Sequence, residues 1–547
     1  MMPGISNSAL LKLAILLIVA LVLRVIFWHG ISPGDPFTYS ASAWDIVQGR
    51  WNPAFFYEQT TRWGILFPLA ASYKIFGVDN FSSMLWPLLT SVGTVAVAYL
   101  LALHLKDERA ALLAGIIVTT FPLEIIYATQ PMADCPLSFW LLLSLYLFVR
   151  ADSSESSKRW WYMCSGIALG LAYATKFVAA LIAPFFLLVL LFRRRIEWNW
   201  GWLVLGFLLV CGFEWFLFHQ ITGNGLLRLD LVLHDQASHA PVTAGGFQVQ
   251  NSVGLYLYWM FVDFHYVGLS FVVLLLILIH QAARSVWSSV ARYRFGKANK
   301  EKATTSRNTP NASRSQALLW LWSLTLLLVL SVYPIRLKPY IPLYKIEVYL
   351  LMFTAPLLVL TAVWLSEYAR RWQVIAITLI VLSSLPFVYL LRESYHAHGD
   401  NARAIFAFAQ AHPDRPIYAH RSDQRYLQFF TGFQQNDRYK SFRLPKPDED
   451  VHETPPINFA HTYVAVNSYL LGYHKEDSYP PEITIPPPSW REVYHYQRPQ
   501  HWLRRTVAGM TDWLSQRELL HPGLTQRIND RLANWSHTKP VIIYATD

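Results

Sequence analysis

Runs of about twenty apolar residues recur along this chain, beginning with "ALLKLAILLIVALVLRVIFW" at residues 9–28. That is the length a helix needs to cross the hydrocarbon core of a bilayer. With no water there to satisfy backbone groups, a spanning segment has to be a helix or part of a closed barrel. Eleven such segments are expected, at 9–28, 84–103, 110–127, 132–149, 160–175, 177–192, 198–218, 267–283, 317–333, 347–365 and 373–391. Only 15% of the residues are charged and 54% are hydrophobic, against about 25% charged in soluble domains. The fold class is therefore a polytopic α-helical membrane protein.

The first run is followed directly by further spans and has no small-residue cleavage site behind it, so it reads as a retained helix. The net charge of +11 suggests nucleic acid, but the basic residues lie in loops between spans, where the bilayer accounts for them. The loop at 284–315 carries eight basic residues and one acid, is rich in Ser, Thr and Asn, and is expected to be mobile. This loop, "RRR" at 193–195 and Arg370–Arg371 lie on one side of the alternating spans, which places that side and the N-terminus in the cytoplasm. The odd number of spans then puts the tail outside. Cys135, Cys164 and Cys211 fall in or beside spans and imply no disulfide framework.

Residues 1–392 read as the membrane domain and 393–547 as a small extracytoplasmic α/β domain of ordinary domain size. In the tail, "NARAIFAFAQAHP" has helical spacing, "PIYAH", "TYVAVNSYLL" and "PVIIYA" read as short buried strands, and "DQRYLQFFTGF" as a further helix. In the long loop after the first span, "YSASAWDIVQGRW" and "WGILFPLAASYKIFG" have the apolar spacing of helices lying in the membrane interface.

Alternating the spans places the unusual polar residues at one face: Asp35 after the first span, Arg62 in the same loop, Asp134 between the third and fourth, then Lys176, Arg336 and Lys338. Ionisable residues at membrane depth are costly, which makes them candidates for function. Two carboxylates beside several cations suit group transfer from a phosphate-bearing lipid. One carboxylate takes the proton of an attacking hydroxyl, and the cations stabilise the charge developing on the leaving phosphate. The competing readings are structural: Asp35 and Asp134 as helix caps, the cations as interfacial anchors, and Glu124 and Glu214 as packing groups. The groups "HDQASH" (His234, Asp235, His239) and "HAHGD" (His396, His398, Asp400) hold metal-ligand residue types without a zinc spacing.

These segments together resemble the C-type (GT-C fold) integral-membrane glycosyltransferases, in the branch of protein O-mannosyltransferases and lipid A aminoarabinose transferases. "GDPFTYSASAWDIVQGRW" is similar to the family's first outer-loop motif, with Pro36 where many members carry a second acid. "TRWGILFPLAASYKIFG", "ATQPMADCPLSFW", "GIALGLAYATKFVAALIAPF" and "LKPYIPLYKIEVYLLMFTAPLL" resemble the segments that follow. The resemblance implies inverting transfer of a sugar from a polyprenyl-phosphate donor (undecaprenyl or dolichyl) to a hydroxyl of a glycan, lipid or protein. By position, Asp35 is the general base and Asp134 a second acidic residue, with Arg62, Lys176, Arg336 and Lys338 at the phosphate. Metal dependence stays open, a divalent metal being compatible with the family. The rival functions are a lipid-linked sugar flippase or transporter, which would favour midplane sites and internal repeats, and an envelope polysaccharide polymerase or ligase. The expected location is a bacterial inner membrane, with membrane lipids and no nucleic acid as partners.

Overall fold

The computed structural model describes residues 6–32, 34–54, 58–154, 157–194, 197–233, 252–295, 310–336, 340–434, 436–442, 457–471, 479–499, 502–517, 523, 525–526 and 539–547. Among these, eight helices are long and apolar enough to cross a membrane: Asn7–Ile26, Asn80–Leu105, Asp134–Ser153, Trp200–Thr222, Ser270–Trp287, Ser313–Val332, Glu347–Leu365 and the apolar part of Arg370–Ala411. The expected span at 110–127 is broken. Helix Glu108–Thr119 ends at Thr120 and a short helix, Pro122–Tyr127, restarts behind Pro122, because proline favours a first-turn position and disfavours helical backbone in the residue before it. The expected loop at 284–315 also needs correction. Residues 284–295 continue the helix Ser270–Phe295, and Pro310 opens the helix Pro310–Val332.

The chain forms two compact units. The first comprises residues 1–28, 51–68 and 84–388, and the second residues 29–50, 69–83 and 389–547.

In the first unit the helices that matter most are α1 (Asn7–Ile26), α2 (Asp134–Ser153), α3 (Lys158–Thr175) and α4 (Trp200–Thr222). Helix α3 packs along both α2 and α4. Ser144 and Ser165 exchange hydrogen bonds across α2 and α3, each hydroxyl donating to the other's carbonyl at 3.0 and 2.8 Å. Between α3 and α4 the backbones nearly touch. A Cβ added at Gly166 would run into the Leu203 carbonyl, and one at Gly206 into the Met163 carbonyl. Small residues allow this approach, and in lipid close packing is what holds helices together. Replacing Gly206 by Val is expected to cost about 2 kcal/mol or more through overpacking, read as a lowered thermal unfolding midpoint in detergent.

The second unit holds a five-stranded sheet, order β4-β3-β5-β7-β6. Numbering follows the chain, an antiparallel pair of β1 (Pro334–Arg336) and β2 (Ile341–Pro342) lying earlier, in the first unit. The sheet strands are β3 (Ile417–Ala419), β4 (Tyr439–Ser441), β5 (Tyr463–Asn467), β6 (Arg491–Tyr496) and β7 (Val541–Ala545). Strands β4, β3 and β5 run parallel, whereas β7 runs antiparallel to both β5 and β6. The apolar runs "IYA", "YVAVN" and "VIIYA" are the expected strands, and "DQRYLQFF" lies in the helix α5 (Arg421–Phe430). The expected tail helix at 401–411 is the end of one continuous helix, Arg370–Ala411.

At the carboxyl ends of β3 and β5 a buried polar knot forms. Asn467 donates to both oxygens of Asp423 at 3.2 Å and accepts from Asn401 at 3.0 Å. Burial pushes the Asp423 carboxyl up to about 7, against the opposing effect of the Asn467 hydrogen bond. The folded value thus lies above the unfolded one, near 4. Below pH 4 the stabilising proton is bound in both states; as pH rises from about 4 to about 7 only the folded state keeps it, and stability falls by about 4 kcal/mol. Asp423→Asn is expected to flatten this slope, measured as protection of β3 and β5 amides from hydrogen exchange in the full chain between pH 5 and 8.

Candidate active site

In the first unit the antiparallel pair α2 and α3 sets the geometry. Asp134 is the first residue of α2 and Lys176 directly follows the last residue of α3, so both stand at the same end of the pair. Lys176 Nζ lies 2.8 Å from Asp134 Oδ1, and both side chains are buried. The other oxygen, Asp134 Oδ2, has no hydrogen-bond partner among the described residues. Neither terminus is a side-chain cap: Ala133 occupies the cap position of α2 and makes no side-chain bond.

Arg62 joins this pair. It leaves a single 3-10 turn, Glu58–Thr61, and its Nε donates to Glu58 Oε2 at 2.7 Å, a terminal nitrogen adding a second bond. The turn is pressed against the end of α3, where a Cβ at Gly64 would lie 2.7 Å from the Thr175 nitrogen. Burial alone would raise the Glu58 carboxyl, but Arg62, with smaller help from Arg228 and Lys176, holds it below the ordinary carboxylate value. Tyr349 closes the group: Lys176 Nζ sits 5.1 Å above its ring, and Lys176, Arg62, Asp134 and Glu58 all act on it electrostatically. Its neighbour Glu347 accepts from the Tyr127 hydroxyl at 2.7 Å.

Behind the turn stands Arg228, buried and fully engaged. It donates to the carbonyls of Tyr173 at 2.6 Å and Ala174 at 3.0 Å and to Thr61 Oγ1 at 3.2 Å, and lies 3.3 Å from Glu214. Glu214 also accepts from Trp63 Nε1 at 2.7 Å. Arg228 therefore ties the Glu58–Arg62 turn to the end of α3. Glu124 is a packing group, as expected, held by Ser91 at 2.6 Å and Ser138 at 3.0 Å, with Arg24 of α1 donating to Ser91 at 2.9 Å.

Asp35 belongs to the second unit. It opens the helix α6 (Asp35–Val47), with Gly34 as the cap at φ +99°, a backbone state that L-residues rarely adopt. The reading of Asp35 as an N-cap is thus corrected: it is the first helical residue, where a negative charge favours the helix dipole. Inside the second unit α6 rests on α5. Phe37 meets Tyr426 edge-on at 4.7 Å, and the Tyr426 hydroxyl donates to the Ile31 carbonyl at 3.2 Å. One turn along the helix, Ser40 and the Tyr73 hydroxyl are 2.7 Å apart, and Tyr73 is also 2.7 Å from Ser83.

Of the sequence-derived candidates, Asp134, Lys176 and Arg62 come together. Arg336 ends β1, and Lys338, with "HDQASH", lies outside the described residues. In "HAHGD", Asp400 is engaged by Arg403 at 2.6 Å and Arg498 at 2.7 Å, an ion-pair role. Among the described residues no three His, Cys, Asp or Glu side chains converge as a metal site would require. Glu58, Tyr349, Glu347 and the clamping role of Arg228 were missed from sequence. Only the Glu58–Arg62 spacing of four offered a signal.

Comparison with known proteins bears on the fold. Residues 64–216, which include Asp134 and Lys176, match the family model of dolichyl-phosphate-mannose-protein mannosyltransferases. The structure of ArnT from Cupriavidus metallidurans bound to undecaprenyl phosphate superposes with a TM-score of 0.53 at 14% identity, covering 86% of this chain and 95% of ArnT. The chain has the fold of the GT-C glycosyltransferase ArnT. A second GT-C structure, the oligosaccharyltransferase of Archaeoglobus fulgidus tethered to an acceptor peptide, matches with a TM-score of 0.54 at 12% identity over 99% of this chain and 89% of its own. A curated relative, the putative mannosyltransferase YkcB of Bacillus subtilis (strain 168), is 31% identical over 118 residues, which is 21% of this chain and 16% of YkcB's length.

Proposed function

We propose that this protein moves a sugar from a polyprenyl-phosphate donor to an acceptor hydroxyl, with inversion, at the outer face of a bacterial inner membrane. The observation that carries the reading is the buried Asp134–Lys176 pair, which lies inside the segment that matches the mannosyltransferase family model, with Arg62 and Tyr349 from outside that segment acting on it. ArnT, which shares the fold, was captured with undecaprenyl phosphate.

In the reaction the acceptor oxygen attacks the anomeric carbon and the carbon–oxygen bond to phosphate breaks. The bonding electrons pass to the departing polyprenyl phosphate, and the acceptor proton goes to the Asp35 carboxylate. A phosphate needs no proton to leave, so one base suffices. Lys176 and Arg62 face the phosphate as cations whose charge is offset by Asp134 and Glu58, which leaves the empty site near neutral and the cations fixed before the donor arrives. Arg336 and Lys338 are further phosphate contacts by position. Asp134 orients Lys176.

The test is to give the purified protein in proteoliposomes a mannosyl phosphate carried on undecaprenol or on dolichol, with acceptor extract. Release of free polyprenyl phosphate together with a glycosylated acceptor is the expected result. Movement of the intact lipid-linked sugar across the bilayer without release would replace this reading with a flippase.

A further inference from the structure

A helix near the end of the second unit, α7 (Trp502–Gln516), turns an apolar stripe to solvent. Trp502, Met510 and Trp513 are 61%, 60% and 50% exposed, whereas Thr511 is buried. At 100° per residue Trp513 and Met510 fall within about 80° of Trp502, and Thr511 falls opposite. Val507 and Leu514 flank Thr511 and are half-buried, so the helix already has an inner face of its own. The outer stripe is a second one. A Cβ placed at Gly509, on the same stripe, would meet nothing within 4 Å.

Single exposed hydrophobic residues are ordinary, but two tryptophans and a methionine in line are not. Cations accompany the stripe: Arg505 is exposed on one flank, and Arg517 lies within it, its guanidinium 4.3 Å over the Trp513 ring. Indole rings with arginines at their edges suit the headgroup layer of a bilayer, where the ring lies at the boundary and the cation meets phosphate. Among the described residues eight helices are fit to cross a membrane, so the protein as a whole meets a bilayer.

We infer that α7 is an interfacial helix: Trp502, Met510 and Trp513 enter the headgroup boundary of the bilayer and Arg505 and Arg517 contact anionic phospholipid. The helix then anchors the C-terminal unit to the lipid surface at a point separate from the spans.

The experiment places the photoreactive residue benzoylphenylalanine at Met510 of the full chain, reconstituted in vesicles of phosphatidylethanolamine and phosphatidylglycerol. Ser515, half-buried and about 140° away, receives the same residue as a control. The expected product at 510 is a phospholipid adduct found by mass spectrometry, several-fold more abundant than at 515. Its yield should drop several-fold when phosphatidylglycerol is exchanged for phosphatidylcholine, or in high salt. Equal yields at the two positions, a crosslink to a second copy of the chain, or no adduct at 510 would each overturn the inference. Trp502→Ser with Trp513→Ser, both surface changes, should keep the thermal midpoint and abolish the phosphatidylglycerol dependence; loss of neither would also overturn it.

Discussion

Replacing Asp134 by Leu and Lys176 by Met together should leave a folded protein that no longer transfers sugar. The pair is buried on both sides, with 7% and 1% of the side chains exposed. Such a pair contributes little net stability, because desolvation cancels most of the attraction, and an apolar replacement of similar volume is often neutral. Breaking it is different. Lys176→Met alone leaves Asp134 charged, buried and without its cation, when its second oxygen already has no partner among the described residues. That single change is expected to cost about 3–5 kcal/mol. The double variant should recover most of this in its unfolding midpoint, yet release polyprenyl phosphate about 10²–10³-fold more slowly, the usual loss when a charge stabilising the transition state is removed. A double variant both stable and active would reduce the pair to a packing device.

Asp35→Asn should lower transfer by about 10²–10⁴-fold, the range a positioned general base supplies. The change is nearly isosteric. It removes a helix-dipole interaction of about 0.5 kcal/mol at the first turn of α6 and leaves untouched the contacts of Phe37 with Tyr426 and of Ser40 with Tyr73 that hold the helix. The loss should fall on kcat, measured as polyprenyl phosphate release at saturating donor, with the thermal midpoint recorded alongside to show that the variant is folded. Transfer within tenfold of the parent would remove Asp35 as the base.

Much of the architecture was written in apolar periodicity, because a bilayer tolerates so few backbone solutions. Eight of the eleven expected spans, the two helices of the long early loop and the buried strands β3, β5 and β7 could be read from apolar runs; 110–127, 160–175 and 177–192 are not among the membrane-length apolar helices of the described residues. The strands β4 and β6 could not: β4 has three residues, and β6 is largely exposed and carries no apolar run. Helix at 284–295 escaped notice because its composition is polar and its length is inherited from the span before it. At the site, alternation of spans was enough to bring Asp134 and Lys176 to one end. Nothing in the sequence pairs Arg228 with carbonyls at 173 and 174, since backbone acceptors have no sequence signature. Tyr349 likewise looks like any aromatic at a span entrance until Lys176 is seen above its ring.

The last strand of the chain, β7, is not at an edge but lies between β5 and β6. Within the same unit, Ile31 and Phe37 pack with Tyr426 and Phe429, residues made nearly four hundred positions later. The sheet that backs this packing lacks an interior member until the ribosome has delivered residues 541–545. During synthesis the spans can enter the bilayer one after another while the segment bearing Asp35 waits, uncommitted, for its footing. A chain lacking residues 541–545 would keep its membrane helices and forfeit an interior strand of this sheet.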